Sequence, residues 1–181
     1  PGGRAPAFTL VELLVVMALV SLLVVVAQVN LLGALRRSTF QAQVQDFIST
    51  MQMAISNASE TGQRYEVIID LGEQSYLLRK LTGADLTGEP LVEQIITQGQ
   101  FSGNCRVTYV EFDDGEEAYK NQDRAKFRAG RAGWQYGGKI VFLEGERPHA
   151  VIVNRVTPII QLLEGDPPLM KPKMKIEVPF L

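Results

Sequence analysis

Residues 8–27 read FTLVELLVVMALVSLLVVVA, and the reading of this stretch decides the rest. Leu, Val, Ala and Met fill it, broken by one carboxylate, Glu12, and two hydroxyls, Thr9 and Ser21. No helical period separates an apolar face from a polar one. A helix that is apolar all round belongs in a protein core or a bilayer. At about 1.5 Å per residue, roughly 20 residues cross a hydrocarbon layer of about 30 Å. The pattern continues past Gln28 into polar helical periodicity, so the stretch reads as the membrane-spanning upper half of a longer helix.

Glu12 stands out, because an ionisable group inside such a span costs about 2.5–3.5 kcal/mol on insertion and usually serves a purpose with a partner. The nearest bases in sequence are Arg4, ahead of the stretch, and Arg36 and Arg37, far along it. The expected partner is therefore a terminal amine or a group on another chain. The alternative is a carboxylate solvated in the headgroup zone, one turn from the helix end.

The run Ala7-Phe8-Thr9-Leu10-Val11-Glu12-Leu13-Leu14 resembles the class III signal of type IV pilins and of type II secretion pseudopilins. The resemblance implies that a prepilin peptidase cuts between Ala7 and Phe8, that Phe8 becomes an N-methylated terminus, and that Glu12 governs assembly. Ala7 stands where the family usually has Gly. In such a filament the Glu12 carboxylate would neutralise a Phe8 amine, of its own chain or of a neighbour. A buried charge is tolerable only when paired and hydrogen-bonded, so the pair would set axial register more than it adds stability. The implied partners are other pilin or pseudopilin subunits, the peptidase, an inner-membrane assembly platform and membrane lipid. The implied location is the inner membrane, crossed once, with a cytoplasmic N-terminus and a periplasmic or extracellular C-terminal domain.

The remainder of the chain fits that frame. At 181 residues there is room for one membrane helix and one modest globular domain, and a net charge of −2 gives no global attraction to nucleic acid. Cys105 is the sole cysteine, so no internal disulfide forms; it reads as a small buried residue or as a site of intermolecular pairing. Residues 1–7, with Arg4 as their only charge, suit a prepilin-type leader on the cytoplasmic side. Phe40, Val44, Phe47, Ile48, Met51, Ile55 and Ala58 recur at spacings of three and four, and Gly62 follows as a stop. This predicts one helix over 8–61, with 8–29 as the membrane or filament core and 30–61 amphipathic, its Met and Phe stripe packed on a sheet.

Residues 62–181 read as a β-rich domain. Residues 64–70 and 75–81 alternate around a turn at 71–74 and predict a hairpin. A long helix leading into such a hairpin resembles, in layout, the H-type minor pseudopilins. Further strands are expected at 91–97, 105–112, 139–144, 150–156 and 158–163, with residues 171–178 as a basic, Pro-bearing edge segment. The predicted fold class is α+β, a long N-terminal membrane-spanning helix packed on a C-terminal antiparallel sheet domain, pilin-like.

Three other features carry possible chemistry. Residues 119–139 mix bases with aromatics, and Arg124, Lys126, Arg128 and Arg131 offer a nucleic-acid surface in a solvent-exposed loop. This is the second reading, a DNA-uptake pilin. A calcium site at Asp113 and Asp114 is conceivable, although the spacing reproduces no recognisable calcium loop; no metal or other cofactor is expected. His149 is the sole histidine, and no nucleophile–base arrangement accompanies it, so no enzymatic activity is expected. A third reading is a non-polymerising single-span membrane protein with an exported β domain.

Overall fold

The computed structural model describes residues 10–81, 95–101, 103–114, 119–120, 123–155 and 157–170, with 29–34 and 119–120 described by backbone alone. The chain divides into two compact units, Pro1–Thr39 and Phe40–Leu181. Helix α1 covers Leu10–Thr61 and contributes to both.

In the first unit the apolar side chains of α1 are exposed on every face, from Leu10 through Val26. The second unit begins where the periodic stripe begins. Phe40, Val44, Phe47, Ile48, Met51, Ala54 and Ala58 are all buried. Gly62, in the left-handed region (φ 67°), ends the helix, and its N–H donates to the Ala58 carbonyl at 3.0 Å.

The stripe faces two antiparallel sheets rather than the single sheet expected. The first has the order β3-β2-β1-β6-β7, from Ile95–Gln100, Ser75–Leu81, Arg64–Asp70, Arg124–Gly130 and Gly133–Trp134. The second has the order β10-β9-β8-β4-β5, from Ile160–Glu164, Arg147–Val153, Gly138–Glu144, Cys105–Phe112 and Tyr119–Lys120. Phe47 of α1 meets Tyr76 of β2 at 5.1 Å and Phe142 of β8 at 5.6 Å, ring centre to ring centre. Phe112 of β4 and Phe127 of β6 join the sheets at 4.8 Å. Aromatic pairs at these distances add about 0.5–1.5 kcal/mol each beyond their buried area.

The β1–β2 hairpin occupies the expected residues, with Glu66 opposite Arg79 and Val67 opposite Leu78. The β8–β9 connection is a two-residue turn whose first position, Gly145, takes the left-handed conformation (φ 64°) that such a turn favours. Strand β3 begins at Ile95; residues 91–94 of the expected strand lie outside the described residues, as do 171–178.

Gln74 ties the sheets together, and nothing in its local sequence announces this. It is the only described non-glycine residue in the left-handed region (φ 50°). Its side-chain carbonyl accepts from the Val107 N–H at 2.8 Å, and its amide donates to the Val107 carbonyl at 3.0 Å and to the Leu71 carbonyl at 2.6 Å. The carboxamide thus stands in for a neighbouring strand at β4. An orphaned, partly buried backbone group costs about 1–3 kcal/mol. Gln74→Ala should therefore lower stability by about 2–3 kcal/mol in urea unfolding followed by the fluorescence of the single tryptophan, Trp134. A loss below about 0.5 kcal/mol would show that water replaces the carboxamide at no cost.

Candidate functional site

The candidate site with the clearest chemistry is the N-terminal end of α1. Its window Leu10–Gln28 is long and apolar enough to cross a membrane, and none of it is buried within the chain. Nineteen residues give a rise of about 28 Å, close to the hydrocarbon thickness. Glu12 lies in the first helical turn, where the helix dipole favours a negative charge. The Ser21 hydroxyl donates to the Met17 carbonyl at 2.8 Å, so that polar group is satisfied inside the helix, as an apolar medium requires. Ala7 and Phe8, the expected cleavage pair, lie outside the described residues.

The basic segment is placed differently from the expectation of a loop. Residues 124–130 form β6, which lies between β1 and β7 in the first sheet. Arg124, Lys126 and Arg128 share one face, opposite Asp70, Ile68 and Glu66 of β1. Arg124 Nε binds Asp70 at 2.6 Å, and Arg128 Nε binds Glu66 at 2.8 Å. Arg131 sits in the turn that follows. Burial opposes charge on Asp70, but hydrogen bonds from the Glu73 amide and the Arg124 guanidinium outweigh it and hold its carboxyl below the usual range. Two of the four expected nucleic-acid contacts are therefore engaged with carboxylates.

Glu66 is the centre of the most deeply buried charge cluster described. Its carboxylate also accepts from Arg79 on β2, at 2.8 Å from Nε, and the other guanidinium contact is 2.7 Å. Both side chains are 0 % exposed. The three groups, Arg79, Glu66 and Arg128, form a row across β2, β1 and β6.

At the acidic turn, Arg155 donates to Asp113 at 2.6 Å. Among the described residues no group of three or more His, Cys, Asp or Glu side chains is placed to hold a metal ion; Glu116 and Glu117 lie outside them. Cys105 is buried, and burial pushes its thiol up to about 12, which makes it a small apolar residue in chemical terms. His149 lies against Phe40, ring centres 4.7 Å apart, with Nε2 3.3 Å from Glu144.

A further polar cluster was not legible as such in the sequence. Lys139 Nζ, 6 % exposed, donates to Asp166 at 2.7 Å and to the Pro167 carbonyl at 3.1 Å, and lies 3.3 Å from Glu111. The Tyr109 hydroxyl also donates to Asp166. Burial opposes charge on Asp166, but the hydrogen bonds from Lys139 and Tyr109 prevail and hold its carboxyl below the usual value. A depressed acid contributes stability above its unfolded pKa, about 3.9, and loses it as pH falls through the folded value. Asp166 is partly exposed, so its contribution is that of a screened pair, about 0.5–1 kcal/mol. Asp166→Asn should lower the urea midpoint at pH 7, and the gap from the unaltered chain should close below about pH 4. A gap independent of pH would assign the loss to packing instead.

Set beside known families, residues 4–27 match the model of the prokaryotic N-terminal methylation motif. No curated protein and no solved structure matches the chain. The match supports a pilin-like subunit with a prepilin-type signal, and the apolar helix within it fits a single-pass membrane anchor.

Proposed function

We propose that this chain is a structural subunit that a prepilin peptidase cuts between Ala7 and Phe8 and methylates at Phe8. It then polymerises through its N-terminal helix, with Glu12 of one subunit meeting the Phe8 amine of the next. The observation that carries the reading is a methylation motif over residues 4–27 whose helix is apolar on every face, with one carboxylate in its first turn. An apolar rod with no covering inside its own chain requires lipid or other rods around it. In lipid it is an anchor; in a bundle of like helices it is a filament core.

The destination is a type II secretion pseudopilus or a related type IV pilus, in which we place the chain as a minor subunit. The DNA-uptake reading draws no support from β6, where Arg124 and Arg128 face carboxylates. The reading is tested by expressing the full chain with a complete assembly system and shearing or extracting the filaments. The chain should co-purify with the other subunits. Its retention as a membrane monomer while the others assemble would refute the proposal.

A further inference from the structure

After β10 the chain folds back over its own sheet. The Gly165 N–H donates to the Pro148 carbonyl of β9 at 2.8 Å. Asp166 then accepts from Lys139 of β8 at 2.7 Å and from the Tyr109 hydroxyl of β4. The Pro167 carbonyl accepts from the same Lys139 at 3.1 Å. Ile140 and Phe142 of β8 belong to the core, so Lys139 and Val141 lie on the other face of the sheet.

The register shows what this strap crosses. On that face Leu143 stands opposite Pro148, Val141 opposite Ala150 and Lys139 opposite Ile152. A strap fastened at Pro148 and again at Lys139 and Tyr109 passes over Val141 and Ala150. Both are buried, yet neither belongs to the core cluster. Tyr109 pairs with Val141, and Leu163 of β10 pairs with Ala150, so the four residues form one row across β4, β8, β9 and β10. The strap covers the middle of that row, while Leu163 at its end is 40 % exposed.

The strap is lightly held. Among the described residues, one backbone hydrogen bond fastens it to the sheet, and its other hydrogen bonds come from Lys139 and Tyr109. Pro167 and Pro168 have no N–H to add to a ladder. Met170, at the end of the described strap, is 95 % exposed. Segments with few buried apolar contacts and few backbone hydrogen bonds open at a lower free energy than the core.

We propose that residues 165–170 are a latch that opens as a unit while the globular unit stays folded, and that Lys139 is its catch. In the open form Val141 and Ala150 join Leu163 as a continuous apolar row, so the latch decides how much apolar surface the sheet presents. The device does not depend on the N-terminal motif, and its failure would leave the reading of that motif untouched.

The test uses the full chain in detergent with Val141→Cys, modified by iodoacetamide and read site by site by peptide mass. Native Cys105, buried in the core, is followed in the same samples. Modification at position 141 should run about a hundredfold faster than at Cys105. It should also be nearly independent of urea below the unfolding transition, because opening exposes little new surface. Adding Lys139→Met should speed modification at 141 by about tenfold. Should that chain fail to fold, Asp166→Asn replaces it, with an expected rise of about threefold. Modification at 141 that follows the steep urea dependence of global unfolding, read by Trp134 fluorescence, would overturn the latch. Fast modification that neither substitution changes would overturn Lys139 as its catch.

Discussion

Glu12→Gln is expected to leave the unit from Phe40 onward folded and to remove the chain from assembled filaments. Glu12 lies in the exposed apolar part of α1, in the unit that ends at Thr39, and the globular core begins at Phe40. The substitution therefore changes no residue of that core. In the proposed bundle, however, the amide leaves the Phe8 ammonium of an adjoining subunit without its counter-charge. Removing one partner of a buried pair costs about 3–5 kcal/mol, and each 1.4 kcal/mol is a factor of ten. Incorporation should fall by at least about a hundredfold, measured as the ratio of filament-bound to membrane-bound chain. Glu12→Asp keeps the charge on a shorter arm and should lie between the two. Filament incorporation of Glu12→Gln at the level of the unaltered chain would remove the proposed role of Glu12.

Arg79→Ala should be the most damaging single change inside the globular unit. Glu66 is 0 % exposed and receives hydrogen bonds from Arg79 and Arg128. Without Arg79, a fully buried carboxylate keeps, among the described residues, the single guanidinium of Arg128, which is itself partly exposed. The cost should be about 3–5 kcal/mol, against total stabilities of about 5–15 kcal/mol for ordinary domains. The control is Glu66→Leu combined with Arg79→Met. Removing both charges together is commonly neutral or stabilising, and Arg128 can turn to solvent. The double variant should therefore unfold within about 1.5 kcal/mol of the unaltered chain, although each single variant is far less stable. Urea unfolding read by Trp134 fluorescence measures all of them. Additive losses in the double variant would mean that packing, not charge, sets the cost.

These two sites differ in how visible they were in the sequence, and the reason is distance along the chain. The N-terminal stretch announces itself because its chemistry is local: apolar run, carboxylate and preceding Phe8 all fall within residues 8–27 of the sequence. The stripe from Phe40 to Ala58, the β1–β2 hairpin and the strand over Cys105–Phe112 were legible for the same reason, since each follows from its own periodicity.

The basic segment misleads because its partners are remote. Arg124-Ala125-Lys126-Phe127-Arg128-Ala129 does alternate, and Ala125, Phe127 and Ala129 are buried, but the density of charge reads as a solvated loop. Only the pairing with β1, more than fifty residues earlier, supplies Asp70 and Glu66. Gln74 and Asp166 are similar cases. A glutamine in a turn and an aspartate before two prolines carry ordinary turn chemistry, and their partners Val107, Lys139 and Tyr109 come from other hairpins. The division into two sheets likewise depends on which strands become neighbours, and no periodicity encodes that.

The most direct test of the central claim is the mass of the N-terminal peptide of the chain recovered from membranes that contain a prepilin peptidase. The account predicts a peptide that begins at Phe8 and carries one added methyl group on its amine. A peptide that still contains Ala7 in the filament-competent chain would contradict it.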